Sequence, residues 1–249
     1  MKRSCLALVL AVAACTETPD AVVGAAVQAT MERRPQALLH ALAPSYRDPR
    51  GDLSVLLADL RRLYERYPSS AFVFDPRQDL RIDPTGHVEV TLQSELQGET
   101  VWKVQQHYRV SIASGFEARI RSGWMVALRD AMDLVDDLHQ ASSPGELGLL
   151  LHPGFRAGLL DREEWLMADR RNHPFGCAWS RAPQVAIRNV RFESGGERQH
   201  LDLHLRIPNR LGPIPRVLRL TLSTSAGRLR IIGGLEPEVL GRPSDSFVR

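Results

Sequence analysis

Cysteine is scarce in this 249-residue chain: Cys5, Cys15 and Cys177 are the full complement. The first two fall in a leader-like start, so Cys177 stands alone and a disulfide-stapled scaffold is excluded. Lysine is nearly absent, with only Lys2 and Lys103, and arginine carries the positive charge. Neither sign dominates: 32 basic residues face 29 acidic ones, for a net charge of +3 that falls to +1 without Lys2 and Arg3. The arginines are spread along the chain, whereas a nucleic-acid surface concentrates its charge, so no nucleic-acid partner is expected. The longest purely apolar and small-residue run, Cys5–Ala14, is about half the roughly 20 residues that span a bilayer. No glycine-rich phosphate loop, zinc-ligand spacing, calcium loop or Gly-x-Ser-x-Gly elbow occurs, so no cofactor is expected. What remains is an ordinary globular composition, 43% apolar and 24% charged, long enough for two domains of about 100–120 residues.

The N-terminus carries the sharpest signal. Lys2 and Arg3 precede the apolar run, and Val12-Ala13-Ala14-Cys15 is followed by the polar Thr16–Asp20. A basic start, a short apolar core and small residues before a cut form a secretory leader. The last four residues resemble a bacterial lipobox. That resemblance implies a signal peptide over 1–14, cleavage before Cys15, lipidation of Cys15 and a tether over 15–20. It further implies membrane attachment through Cys15 in the cell envelope, on the periplasmic face of the outer membrane because Thr16 is not Asp. Several acyl chains anchor firmly where a single chain is marginal. The plainer reading is a short buried helix, which has no need of small residues before Cys15.

Two stretches read as copies. Pro35–Arg47 and Pro144–Arg156 match position for position: Pro35 with Pro144, Leu38 with Leu147, Leu42 with Leu151, Pro44 with Pro153, Tyr46 with Phe155 and Arg47 with Arg156. Around each copy the same programme runs. Ala21–Glu32 reads as a helix, Pro35 opens a second, and Leu53, Leu56, Leu60, Leu63 and Tyr67 share one face of a third. Short runs at 71–74 and 80–82, alternation from Val88 and from Trp102, and a segment over 117–126 around Trp124 read as strands. A helix from Leu128 to Leu138 restarts the order. Helices follow at Pro144 and over 161–171, then strands over 185–192, 201–207, 217–222 and 229–232. Segregated helices and strands mean α+β. The predicted division is domain 1 over 21–126, domain 2 over 127–236 and a mobile tail over 237–249.

Three helices before a curved antiparallel sheet, with Leu42–Gly51 similar to an F-x-D-P-x-G turn, resemble the NTF2-like (cystatin-like α+β cone) superfamily. The resemblance covers 21–125 well and 127–236 more loosely. It implies two tandem NTF2-like domains, each enclosing a cone-shaped pocket between helices and sheet. It also singles out Asp48, since an Asp before Pro in a V-E-D-P-x-G turn is the proton-shuttling base of the ketosteroid isomerase branch. Tyr46-Arg47-Asp48-Pro49-Arg50-Gly51 is similar, but no oxyanion partner stands out, and Ala157 takes the place of Asp48 in the second copy. The alternative for Asp48 is a cap on its own turn. Tyr46, Trp102, Tyr108, Phe155 and Trp179 are the candidates for lining a cone that holds a small apolar ligand.

His200, Asp202 and His204 alternate along a predicted strand and project side by side, the pattern of a metal site on an outer sheet face. His87, Glu89 and Thr91 occupy the matching place in the first copy. Family members often dimerise through such polar faces, which implies an internal pseudo-dimer of the two copies. His173 and Cys177 form a candidate base and nucleophile, set against Cys177 as a small buried hydrophobe. The helix bearing Asp130, Asp133, Asp136 and Asp137 reads as a solvated face. The repeated positions are mainly packing residues. The expectation is therefore a non-catalytic, lipid-anchored envelope protein that binds a protein partner or acts as a scaffold. A binder of a small apolar ligand and an acid–base isomerase- or dehydratase-like enzyme using Asp48 are the alternatives.

Overall fold

The computed structural model describes residues 18–113, 118–141, 143–167, 186–195, 198–207, 212 and 214–235. Cys15 and the leader, the His173–Cys177–Trp179 run and the tail from 237 lie outside the described residues. The first half opens with α1 (Pro19–Met31) and α2 (Pro35–Ala41), each with proline in its first turn, where the missing N–H has no partner to lose. Val22, Val23, Ala26 and Val27 of α1 are buried. A two-residue hairpin, β1 (Arg47–Asp48) and β2 (Gly51–Asp52), leads into α3 (Leu53–Arg66). Asp52 caps α3 by accepting from the N–H groups of Ser54 and Val55, filling donors that have no partner inside the helix. Leu56, Leu60 and Leu63 turn its apolar face to the core.

Then come β3 (Ser69–Val73), the short α4 (Pro76–Asp79), β4 (Leu80–Ile82), β5 (Val88–Gln97), β6 (Val101–Ala113) and β7 (Arg119–Ser122). The sequence suggested one strand over 117–126. Instead Gly123 and Met125 take left-handed backbone (φ 93° and 50°) and turn the chain into α5 (Val126–Gln140). A glycine at 123 is required, because a side chain there would strike the carbonyl of Arg109. The second half continues with α6 (Pro144–Leu150), β8 (Arg156–Ala157), β9 (Leu160–Asp161), α7 (Arg162–Met167), β10 (Ala186–Gly195), β11 (Arg198–Ile207), β12 (Ile214–Ser225) and β13 (Arg228–Gly233).

The protein is a mixed α+β structure whose described residues form a nine-stranded sheet. Its strand order is β13-β12-β11-β10-β6-β5-β3, with β4 also on β5 and β7 also on β6. Along β5, buried and more exposed residues alternate strictly, as expected where one face packs and the other meets water. Val88, Val90, Leu92 and Leu96 share the packed face with Trp102, Phe192, Leu203 and Leu220. Each such aliphatic side chain contributes about 1.5–3 kcal/mol by burial. Helices and sheet enclose one contiguous core that runs through both halves.

The repeat seen in the sequence has detailed structural counterparts. Leu42 bridges Ile120 in parallel, and Leu151 bridges Ile231 in the same way. The Ala43 N–H donates to the Ile120 carbonyl, and the His152 N–H to that of Ile231. Arg119 caps the carbonyl of His40, and Arg230 that of Leu149. The two strand runs join edge to edge, by parallel pairing of Asn189–Ser194 on β10 with Val101–Gln106 on β6. Pairing of the two copies through polar faces, the expected pseudo-dimer arrangement, is not how they meet. Backbone ladders along the free edge of β6 join them.

Candidate functional site

The most elaborate polar arrangement among the described residues lies where α5 crosses the β1–β2 turn and α3. It is centred on Asp48. The sharp β1–β2 turn points this carboxylate inward, where its side chain is 0% exposed. One oxygen, Oδ1, accepts from the backbone N–H groups of Arg50 and Gly51 at 2.8 and 3.1 Å. The other, Oδ2, accepts from the Tyr46 hydroxyl and from Arg129 Nη1, both at 2.7 Å. Two donors to each oxygen fill a carboxylate's usual capacity.

Arg129 is itself 2% exposed. Its Nε and Nη2 reach Asp59 Oδ2 at 2.9 and 2.7 Å. Arg50 completes the cluster, with Nε on Asp59 at 3.0 Å, Nη1 on Asp130 at 2.7 Å and Nη2 on Asp133 at 2.6 Å. Arg62 adds contacts to Asp59 and Asp133, and Arg66 to Asp136. Of the four aspartates read as a solvated face of α5, Asp137 is exposed and the other three are engaged. Asp130, Asp133 and Asp136 meet the arginines of α3 and its preceding turn.

The charges respond to this setting. Burial, together with the hydrogen bond to Asp48, pushes the Tyr46 hydroxyl far above its ordinary pKa, so it stays a donor. Burial acts to raise Asp59, but Arg129 and Arg50 outweigh it and hold the group below the usual carboxylate range. Asp130 shifts the other way, since its burial outweighs the help from Arg50. Asp137 is also raised, by burial and by its like-charged neighbours Asp133 and Asp136.

The second half ties the same point of its fold without charge. Phe155 stands for Tyr46 and Ala157 for Asp48, both buried. Where the Trp124 N–H donates to the Tyr46 hydroxyl at 3.1 Å, the second half has Trp165 Nε1 donating to the Leu235 carbonyl, also at 3.1 Å. Phe155 meets Trp165 edge-on at 5.4 Å.

Four of the five aromatic candidates pack in or against the core, and Trp179 lies outside the described residues. Tyr46, Trp102 and Phe155 are at most 2% exposed. Tyr108 meets Trp124 edge-on at 5.9 Å, and burial drives its hydroxyl pKa up. Two large clefts among the described residues are walled by other side chains. One, of about 640 Å³, lies on the polar sheet face around His107, Glu193, Arg198 and His200. The other, of about 680 Å³, runs between α5, α6 and the β12–β13 turn, with Asp137 and Arg228 on its walls.

His200, Asp202 and His204 do alternate along β11, opposite Thr221, Arg219 and Val217 of β12. Asp202 faces Arg219 at 3.7 Å. Among the described residues no group of three His, Cys, Asp or Glu side chains could hold a metal ion. No described helix is long and apolar enough to cross a membrane.

Sequence reasoning reached Asp48 and missed Arg129, Asp59 and Arg50. A signal for them was present. Arg62 and Arg66 on one helix, and Asp133 and Asp136 on another, repeat at helical spacing with opposite sign.

No family model matches the chain, and no curated protein matches it. Among solved structures it is similar to one described as "Ntf2 like protein involved in plasmid conjugation". That likeness is at 8% identity over 83% of this chain and 94% of the other, with a TM-score of 0.27. At that distance no residue role transfers.

Proposed function

We propose that this chain is a non-catalytic, lipid-anchored cell-envelope protein. Its two tandem NTF2-like units, 21–126 and 127–236, act as a protein-binding or scaffold module. The observation that carries the reading is the closed state of Asp48, the residue best placed by sequence to act as a base. A general base needs a free lone pair within reach of a substrate proton. All four acceptor positions of Asp48 are taken by its own turn, Tyr46 and Arg129. Its chemistry is fastening, and the surfaces left for function are the outer sheet face and the sheet edges. Among the described residues the aromatic candidates Tyr46, Trp102, Tyr108 and Phe155 pack in or against the core, which favours a macromolecular partner over a small apolar ligand.

Anchoring rests on the Val12–Cys15 motif and is tested separately. Cells expressing the chain are fed a labelled fatty acid. Label is expected on the wild type and absent from Cys15→Ser, which should leave the membrane fraction. An unlabelled wild type ends the anchoring part of the proposal. For the binding part, proteins cross-linked to the chain in intact cells are recovered from the wild type and from Asp48→Asn. The same partner is expected with both, because Asp48 is internal. Loss of the partner in a variant that keeps its circular dichroism would place Asp48 at the binding site.

A further inference from the structure

The nine-stranded sheet has two ends, and the chain finishes them differently. At the β13 end, the segment after α6 covers the outer strand through the Leu151–Ile231 bridge. The neighbouring stretch of β12 carries Pro215, which lies opposite Arg206 in the ladder with β11. A proline fits a ladder only with its nitrogen turned to the open side, where it offers no donor. In the first half, the matching edge of β6 is the one that takes β10. Pro215 therefore guards the edge at which a further unit would add by the same joint.

The other end carries no such guard within the strand. Here β3 is Ser69-Ser70-Ala71-Phe72-Val73, with no charge and no proline, a composition that invites strand addition. Val73 is 66% exposed, and Ile82 on adjacent β4 is 59% exposed. The sheet register says which backbone groups of β3 have no strand partner among the described residues. The His107 carbonyl faces β10, where it accepts from Ser194 Oγ. Odd-numbered residues of β6 therefore point away from β5, and even-numbered ones pair with it. Gln106 lies opposite Leu92, and Ala71 opposite Glu95. Counting the alternation across, Ser69, Ala71 and Val73 bond to β5. Ser70 and Phe72 direct N–H and C=O to the open side.

We propose that two copies of this chain pair through β3, antiparallel, about a twofold axis at Ala71. This goes beyond the proposed scaffold role and does not depend on it. In that register Ser70 lies opposite Phe72 of the second copy, so each outward group meets a partner. The strand is self-complementary: Ser69–Val73 carries no charge, so antiparallel pairing with a second copy brings no like charges together while it matches the outward groups. An isologous contact closes on itself as a dimer, while Pro215 prevents open-ended growth at the far edge.

The test is sedimentation equilibrium of the full chain in mild detergent, with cysteine cross-linking beside it. A twofold at Ala71 brings the two Ala71 Cα atoms to about 4.5 Å, within disulfide range. Ala71→Cys should give a covalent dimer on mild oxidation, well above the wild-type background, and Val73→Cys should not. Ser70→Pro removes one outward donor and should shift the mass to monomer with unchanged circular dichroism. A wild type that stays monomeric up to roughly 100 µM, or equal cross-linking of Ala71→Cys and Val73→Cys, overturns the proposal. The cysteine comparison stands even if Ser70→Pro fails to fold.

Discussion

Replacing Arg129 by Met keeps the flexible unbranched stem and most of the volume of the side chain and removes the guanidinium with its charge and donors. Two carboxylates then lose their principal counter-ion. Asp48 would keep the N–H groups of Arg50 and Gly51 and the Tyr46 hydroxyl. Asp59 would keep Arg50 and Arg62. Breaking a buried pair in this way costs about 3–5 kcal/mol, because a charge is left without compensation. An exposed pair would cost under about 1 kcal/mol. The assay is urea unfolding at pH 7, comparing wild type, Arg129→Met and the triple variant Arg129→Met/Asp48→Asn/Asp59→Asn. The triple variant should regain a large part of the loss, since its buried groups are neutral. The sign of the pH effect is fixed as well. Asp59 titrates below its ordinary value in the folded protein, so its contribution is present above that ordinary value. It fades as pH falls through the lowered one. The gap between wild type and Arg129→Met should therefore narrow below about pH 4. A loss under about 1 kcal/mol at pH 7, or a gap that widens on acidification, would refute the closed, water-excluded cluster.

Asp137 is raised above its ordinary value by burial and by Asp133 and Asp136, so its charge opposes folding at neutral pH and stops doing so once protonated. Asp137→Asn should raise the thermal midpoint at pH 7, with no gain below about pH 3.5. Gly234 has a left-handed φ of 96° and lies against the Arg219 carbonyl. Gly234→Ala should lower stability by about 2 kcal/mol or more in chemical denaturation, and Gly227→Ala, in open space, by only about 1 kcal/mol. Trp165→Phe deletes the donor to the Leu235 carbonyl and should cost at least about 1 kcal/mol by the same measurement.

Much of the fold was legible because duplication is a pattern over whole elements. The Pro35 and Pro144 copies become α2 and α6, each seven residues long. The alternation from Val88 and from Trp102 becomes β5 and β6. Proline in the first turn and apolar residues at helical spacing are local signals, readable without knowledge of neighbours. The joint between halves was not legible, since alternation says which face of a strand is buried and nothing about which strand lies at its edge. An unbroken β10 can pair with β6, whereas its counterpart in the first half is interrupted by α4. The ionic cluster was hidden for a related reason. Arg129 sits among Leu128, Ala131 and Met132 on a buried helix face, and charges on α5 look solvated until α3 is set beside them. Asp48 was found from its turn, but its role depends on Arg129, which arrives from another helix 81 positions along the chain.

The closed state of Asp48 is tested most directly by amide hydrogen exchange at Arg50 and Gly51. Both residues belong to a short surface turn, where unbonded amides exchange at nearly free-peptide rates. If their N–H groups are held by the Asp48 carboxylate inside the α3–α5 cluster, exchange is slowed toward the rates of the sheet core. Asp48→Ala then removes that protection at these two sites first. Fast exchange of both amides in the wild type would mean an open turn and a carboxylate free to do chemistry, contrary to the account given.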